Sequence, residues 1–172
     1  YVAAIEASRQ GLKTALIEKE SLGGTCLNNG CIPSKSLLKS AEIADLLSNK
    51  AKKRGFIFEN LSYDYELIVS NSKKNTKRLK SGLTSLLSKK NIDIFHGLAS
   101  FNTSNELNIN EDGKHMNITS DKIIISTGSK PFFPKDLKPN GKRIIDSDFV
   151  LNSKSLPENI CIIGGGYIGI EF

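Results

Sequence analysis

Small and apolar residues recur at helical spacing through Val2, Ala3, Ala4, Ile5 and Ala7, and Gly11 follows where a helix C-cap belongs. The pattern predicts a helix over residues 1–10. Residues 13–18, Lys-Thr-Ala-Leu-Ile-Glu, then have the length of a buried strand that ends on an acid. Helical periodicity returns over 36–53 and 65–90. Strands are predicted over 92–101, 106–110, 116–118 and 122–127, with Glu111-Asp112-Gly113-Lys114 as a hairpin turn. Residues 131–157 are richer in Pro, Asn and Ser and read as a connection between domains. A last buried strand over 159–163 makes Cys161 a small core hydrophobe and runs into Gly164-Gly165-Gly166-Tyr167-Ile168-Gly169.

The two ends of the chain share a theme. Helix, glycine, strand and terminal acid form the second half of a dinucleotide-binding βαβ unit, in which the acid, Glu18, bonds ribose hydroxyls. The first strand and its glycines are expected before Tyr1. At the other end, Gly164, Gly166 and Gly169 satisfy G-x-G-x-x-G directly after a strand. The first glycine allows the tight turn, the second admits a pyrophosphate, and the third lets helix and strand pack closely.

Composition narrows the class. At 172 residues, with 38% hydrophobic and 24% charged residues, the chain can fill the core of one ordinary domain. The net charge of +6 suits an anionic partner such as a nucleotide. The lysines cluster over 50–54 and 73–90, on helical segments without interleaved aromatics, so they read as solvated helix faces and not as a nucleic-acid surface. No apolar run is long enough to span a bilayer, no signal peptide is visible, and no tandem repeat appears.

Three cysteines are too few for a disulfide-stapled secreted scaffold, and two of them stand close together in Gly23-Gly24-Thr25-Cys26-Leu27-Asn28-Asn29-Gly30-Cys31-Ile32-Pro33-Ser34-Lys35. Cysteines separated by four residues can close a small disulfide, and the flanking glycines allow close backbone approach to a ligand. Pro33 fits the first turn of a helix, which would put Cys31 at the positive helix end that favours a thiolate. Lys35 lies one turn further along the same face. A zinc half-site is the competing reading, but His96 and His115 stand apart from each other and from the pair, so no second ligand pair exists.

Residues 23–35 closely resemble the redox-active segment of the pyridine-nucleotide disulfide oxidoreductases. Leu27-Asn28 and Cys31-Ile32-Pro33-Ser34-Lys35 are most similar to the dihydrolipoamide dehydrogenase branch. Glutathione and trypanothione reductases usually carry Lys in place of Ser34, while mercuric reductases can share the Pro-Ser-Lys ending. The resemblance extends over the whole chain. It implies an α/β fold: a truncated FAD-binding Rossmann-like domain with a β-rich insert over 1–152, lacking its first strand and glycine-rich turn, and the start of a second, NAD-binding Rossmann-like domain over 153–172.

By the same resemblance, Glu18, Gly24, Thr25, Lys35, Ala99, Thr127, Gly128 and Ser129 would contact FAD. Ala99 replaces a glycine common in the family, and Asn29 stands where Val is usual. Gly164, Gly166, Tyr167, Ile168, Gly169 and Glu171 would serve NAD, with Glu171 near the nicotinamide. Cys31 would be the sulfur beside the flavin and Cys26 the one that exchanges with a substrate dithiol.

The implied reaction oxidises dihydrolipoamide and reduces NAD+, with a lipoyl domain of a 2-oxo acid dehydrogenase or glycine cleavage complex as partner. The resemblance also implies a homodimer whose partner subunit supplies a His–Glu base dyad, and neither His96 nor His115 lies in such a motif. The isolated chain is therefore expected to be inactive. The expected compartment is the cytoplasm, or the mitochondrial matrix in a eukaryote. Mercuric or glutathione reductase-like chemistry, a flavin-free thiol switch and a redox-inert nucleotide-binding module are the alternatives.

Overall fold

The computed structural model describes residues 1–172, and the chain divides into two compact units. The first comprises Tyr1–Gly24 and Leu79–Ser129, and the second Thr25–Arg78 and Lys130–Phe172.

In the first unit, helix α1 (Val2–Arg9) ends at Gln10, and Gly11 takes φ +82, the left-handed geometry that stops a helix cleanly. Strand β1 (Ala15–Glu18) pairs in parallel with β2 (Asp93–His96), in a register that puts Glu18 opposite His96. Parallel pairing requires a long crossover, and the chain supplies one between residues 18 and 93. The C-terminal part of the long helix α4 (Tyr65–Lys89) closes the core of this unit. There Ala4, Leu22, Leu87 and Ile92 are buried, with Ile5, Leu16, Leu83 and Ile94 packed around them.

Gly97 then separates the first sheet from a second. It adopts φ +134, and a Cβ there would lie 2.5 Å from the Asn110 carbonyl oxygen, so only glycine fits. Beyond it, β3 (Leu98–Phe101), β4 (Glu106–Glu111) and β5 (Lys114–Thr119) form an antiparallel meander in the order β3-β4-β5. Leu107 and Ile109, alternate residues of β4, are its buried side chains. The β4–β5 turn holds both Asp112 and Gly113 at positive φ, the signature of the two-residue type I′ hairpin.

The second unit opens with two successive helices, α2 (Gly24–Asn29) and α3 (Cys31–Asp45). A π-helical turn over Leu46–Lys50 and a 3-10 turn over Lys52–Arg54 continue α3 to Gly55, which ends the run at φ +85. Ser72 of α4 is buried and donates through Oγ to the Pro33 carbonyl at 3.3 Å, bracing the first turn of α3. Further on, α5 (Ser147–Asn152) is capped by Asp146, whose Oδ1 accepts the Phe149 N–H at 2.9 Å, and α6 (Tyr167–Glu171) follows Gly166.

Several sequence expectations need correction. The helix predicted from residue 36 begins at Cys31, and α2 was not foreseen. Residues 92–101 are two strands in different sheets, because Gly97 turns the chain. Segments 122–127 and 159–163 form no strand: no ladder pairs with either, and Ile124, Ile125, Ile160, Ile162 and Ile163 are exposed. Cys161 is accordingly exposed instead of buried, since apolar composition cannot bury a strand that lacks neighbours.

Candidate redox and nucleotide site

The segment between α2 and α3 is shaped by Gly30. With φ −145 and ψ −120 it ends one helix and starts the next, and a Cβ there would meet the Thr25 carbonyl oxygen at 3.0 Å and Cys26 Cα at 3.2 Å. The absence of a side chain lets the chain fold back onto Cys26. Cys31, the first residue of α3, is thereby brought beside Cys26 of α2.

Both cysteines are free, exposed thiols. The neighbouring Cys31 side chain, acting as a hydrogen-bonding group, is the main cause that pushes the Cys26 thiol above its ordinary range. Burial and the charge of Cys31 act in the same direction, while the Cys31 backbone N–H and, most weakly, the Lys35 ammonium oppose them. Cys26 is thus biased toward its neutral thiol.

Lys35 lies one turn along α3 from Cys31. Its Nζ is 3.5 Å from Glu171 Oε1, and 64% of the lysine side chain is exposed. Ser34, buried beside it, donates through Oγ to Glu171 Oε2 at 3.2 Å and approaches the Cys31 carbonyl at 3.3 Å. Four of the residues singled out in the sequence, Cys26, Cys31, Lys35 and Glu171, therefore belong to one cluster of the second unit. Ser34, read in the sequence only as a mark of subfamily, is the residue missed. The available signal was its place between the second cysteine and the lysine.

The glycine loop follows the physical roles of its motif. Gly164 turns at φ +108. Gly166 faces open space, with nothing within 4 Å of where a Cβ would stand. At Gly169 a Cβ would lie 2.6 Å from the Gly164 carbonyl oxygen and 3.0 Å from Ile162 Cγ2. Turn, open approach and close packing are what a pyrophosphate-binding loop requires, so these residues fit a dinucleotide. Tyr167 and Ile168 form the exposed start of α6.

In the first unit, Glu18 stands at the C-terminal end of β1, the end of a parallel strand where nucleotides bind, and its Oε1 accepts the Glu20 N–H at 2.9 Å. Ala99 pairs with Ile109 in the meander. Thr127, Gly128 and Ser129 are exposed, and Gly128 has φ +79 with open space where a Cβ would be. Gly24, which begins α2 at φ +68, is equally open. The open space beside Gly24 and Gly128, where a Cβ would stand, fits the close approach of a flat anionic cofactor. No cluster of metal-ligating side chains exists, and no helix is long and apolar enough to cross a membrane.

Comparison with known proteins agrees with this chemistry. Residues 1–172 match the family described as pyridine nucleotide-disulphide oxidoreductase. Dihydrolipoyl dehydrogenase of Chlorobaculum parvum is 39% identical over 172 residues, covering 99% of this chain and 36% of that protein. The enzyme of the same name from Chlamydia trachomatis is 42% identical over 174 residues, covering 100% and 37% respectively. Among solved structures, the Cu(II) complex of the HOCl-induced flavoprotein disulfide reductase RclA from Escherichia coli matches with a TM-score of 0.81 and 29% identity, over 99% of this chain and 35% of that one. LpdA from Mycobacterium tuberculosis shares the fold, with a TM-score of 0.80 at 19% identity over 91% of this chain and 35% of its own. The chain spans little more than a third of the length of these relatives. FAD and NAD are the cofactors of this family's dihydrolipoyl dehydrogenases. The fold is α/β and that of a Rossmann-like FAD-binding domain, and the chain belongs to the pyridine nucleotide-disulphide oxidoreductases.

Proposed function

We propose that the chain is the redox-centre portion of an NAD-dependent dihydrolipoyl dehydrogenase. The observation that carries this reading is the pair Cys26 and Cys31, on successive helices and brought together at Gly30, with Lys35 one turn beyond. Residues 1–152 then belong to the FAD-binding domain, with the β3–β5 meander as its insert, and residues 153–172 begin the NAD-binding domain. Glu18, Gly24, Thr25, Lys35, Ala99, Thr127, Gly128 and Ser129 would hold FAD. Gly164, Gly166, Tyr167, Ile168, Gly169 and Glu171 would hold NAD.

In the oxidised state the two sulfurs form a disulfide. A thiolate of dihydrolipoamide attacks Cys26, forming a mixed disulfide and expelling Cys31 as a thiolate. The second substrate thiol closes on the first, releasing lipoamide, and Cys26 leaves with a proton. Its raised proton affinity suits it to that neutral state. The electron pair taken from the substrate then resides on the cysteine pair. Bound FAD would supply the two-electron carrier between those thiols and NAD+.

The reading extends to a homodimer acting in the cytoplasm on lipoyl domains of 2-oxo acid dehydrogenase or glycine cleavage complexes. Relatives named dihydrolipoyl dehydrogenase at about 40% identity support this substrate. The test is steady-state turnover of the full-length protein with dihydrolipoamide and NAD+, against glutathione disulfide or mercuric ion with NADPH. NADH formation from dihydrolipoamide is expected. Preference for either alternative substrate overturns the assignment, and a Cys26→Ser protein that retains full turnover overturns the disulfide mechanism.

A further inference from the structure

We infer that Ser34 is a positioning residue of the redox centre. Through Glu171 it fixes the carboxylate that holds the Lys35 ammonium, an inference that rests on the reading of Cys26 and Cys31 as a redox pair. The Glu171 carboxylate uses both oxygens: Oε2 accepts the Ser34 hydroxyl at 3.2 Å, and Oε1 faces Lys35 Nζ at 3.5 Å.

The two contacts differ in kind. Lys35 is 64% exposed, and an ion pair so long and so wet does not by itself fix the orientation of the carboxylate. Ser34 is 5% exposed, locked in the first turn of α3 by packing and by its own N–H bond to the Gly30 carbonyl at 3.0 Å. A short, buried side chain loses little freedom on bonding, so its hydroxyl can hold the carboxylate in one orientation.

A hydroxyl has one proton and here two acceptors, the Cys31 carbonyl at 3.3 Å and Glu171 Oε2 at 3.2 Å. The charged acceptor makes the stronger bond. Ser34 thus links the α3 turn carrying Cys31 to the acid of α6, and the lysine occupies the oxygen that remains.

The hydroxyl can be isolated with an isosteric pair, Ser34→Thr and Ser34→Val, each made in full-length FAD-loaded protein with Glu171 intact and with Glu171→Ala. Both variants add a methyl group beyond serine, and they differ mainly by the hydroxyl. With Glu171 intact, the valine protein should show a several-fold weaker long-wavelength thiolate-to-flavin absorption on reduction. Its flavin reduction should be slower than that of the threonine protein by on the order of tenfold, the scale of a hydrogen bond to a charged group. In the Glu171→Ala background that difference should fall below about twofold, the sign of coupling between the two positions. Equal threonine and valine proteins with Glu171 intact, or a difference that persists without it, would overturn the assignment. Wild-type protein that shows no such absorption would overturn the redox reading itself, and this inference with it.

Discussion

The Lys35 ammonium lies 3.5 Å from Glu171 Oε1, so the cation one turn beyond Cys31 is shared with an acid of the helix that follows the Gly164–Gly169 loop. Exposed pairs of this length contribute about 0–1 kcal/mol to stability. In Lys35→Met the full-length protein should therefore unfold at nearly the wild-type midpoint. Its thiolate-to-flavin absorption should weaken and flavin reduction slow, because a positive charge is lost beside the thiolate. Stopped-flow absorbance checks both. An unchanged band and rate would leave Lys35 a surface residue.

The raised Cys26 thiol has a pH consequence. Only the thiolate is alkylated, and a raised pKa means less thiolate at neutral pH than an ordinary cysteine holds. In the reduced protein, alkylation of Cys26 should be slow at neutral pH and accelerate as the pH rises past the ordinary thiol range. Cys31→Ala removes the largest raising influence and also the charge repulsion, while the backbone N–H that lowers the value stays. The variant should then react faster at Cys26 at neutral pH, by a factor that shrinks as the pH rises. Mass-spectrometric alkylation rates for the tryptic peptide decide this. A slower or equal rate in the variant contradicts it.

Gly166 and Gly169 should respond to alanine in opposite ways. At Gly169 the methyl group collides with the Gly164 carbonyl, and overpacking of this kind costs about 1–3 kcal/mol, so both folding and NAD binding should suffer. At Gly166, where φ is −74 and the space is open, alanine should leave the unfolding midpoint unchanged yet weaken NAD binding about tenfold or more by blocking the pyrophosphate. Denaturant unfolding paired with NAD titration separates the two. Equal loss of stability in both variants would show that the loop is only a structural turn.

Gly97→Ala tests the join between the two sheets of the first unit. A Cβ at φ +134 is strained and lies 2.5 Å from backbone that cannot move without breaking the β3–β4 ladder. A loss of about 2 kcal/mol or more in urea unfolding is expected. Wild-type stability would mean that the meander can shift to accommodate the methyl group.

What could be read from the sequence was what is decided locally. The helix stop at Gly11, the Asp112-Gly113 hairpin and both ends of α4 depend on residues within one or two turns, and each lies within about a residue of its expected place. The cysteine pair, Lys35 and the glycine loop were visible for the same reason, being contiguous motifs. Segments 122–127 and 159–163 were misread because a strand exists only when another strand lies beside it, which composition cannot reveal. Helix α2 was missed because Gly24, Thr25 and Asn28 read as loop residues. The hydrogen bond from Ser34 to Glu171 joins positions 137 residues apart, and nothing local announces it.

Gly30 bears on how the centre would run through repeated cycles. Because the backbone itself folds back at this residue, Cys26 and Cys31 are held side by side as free thiols. If the pair cycles as proposed, the sulfurs would not have to search for each other after each opening, because the fold would already have met the entropy of loop closure. On the proposed redox reading the segment would work as a latch with fixed jaws, in which the bond is cut and remade without a new search by the chain.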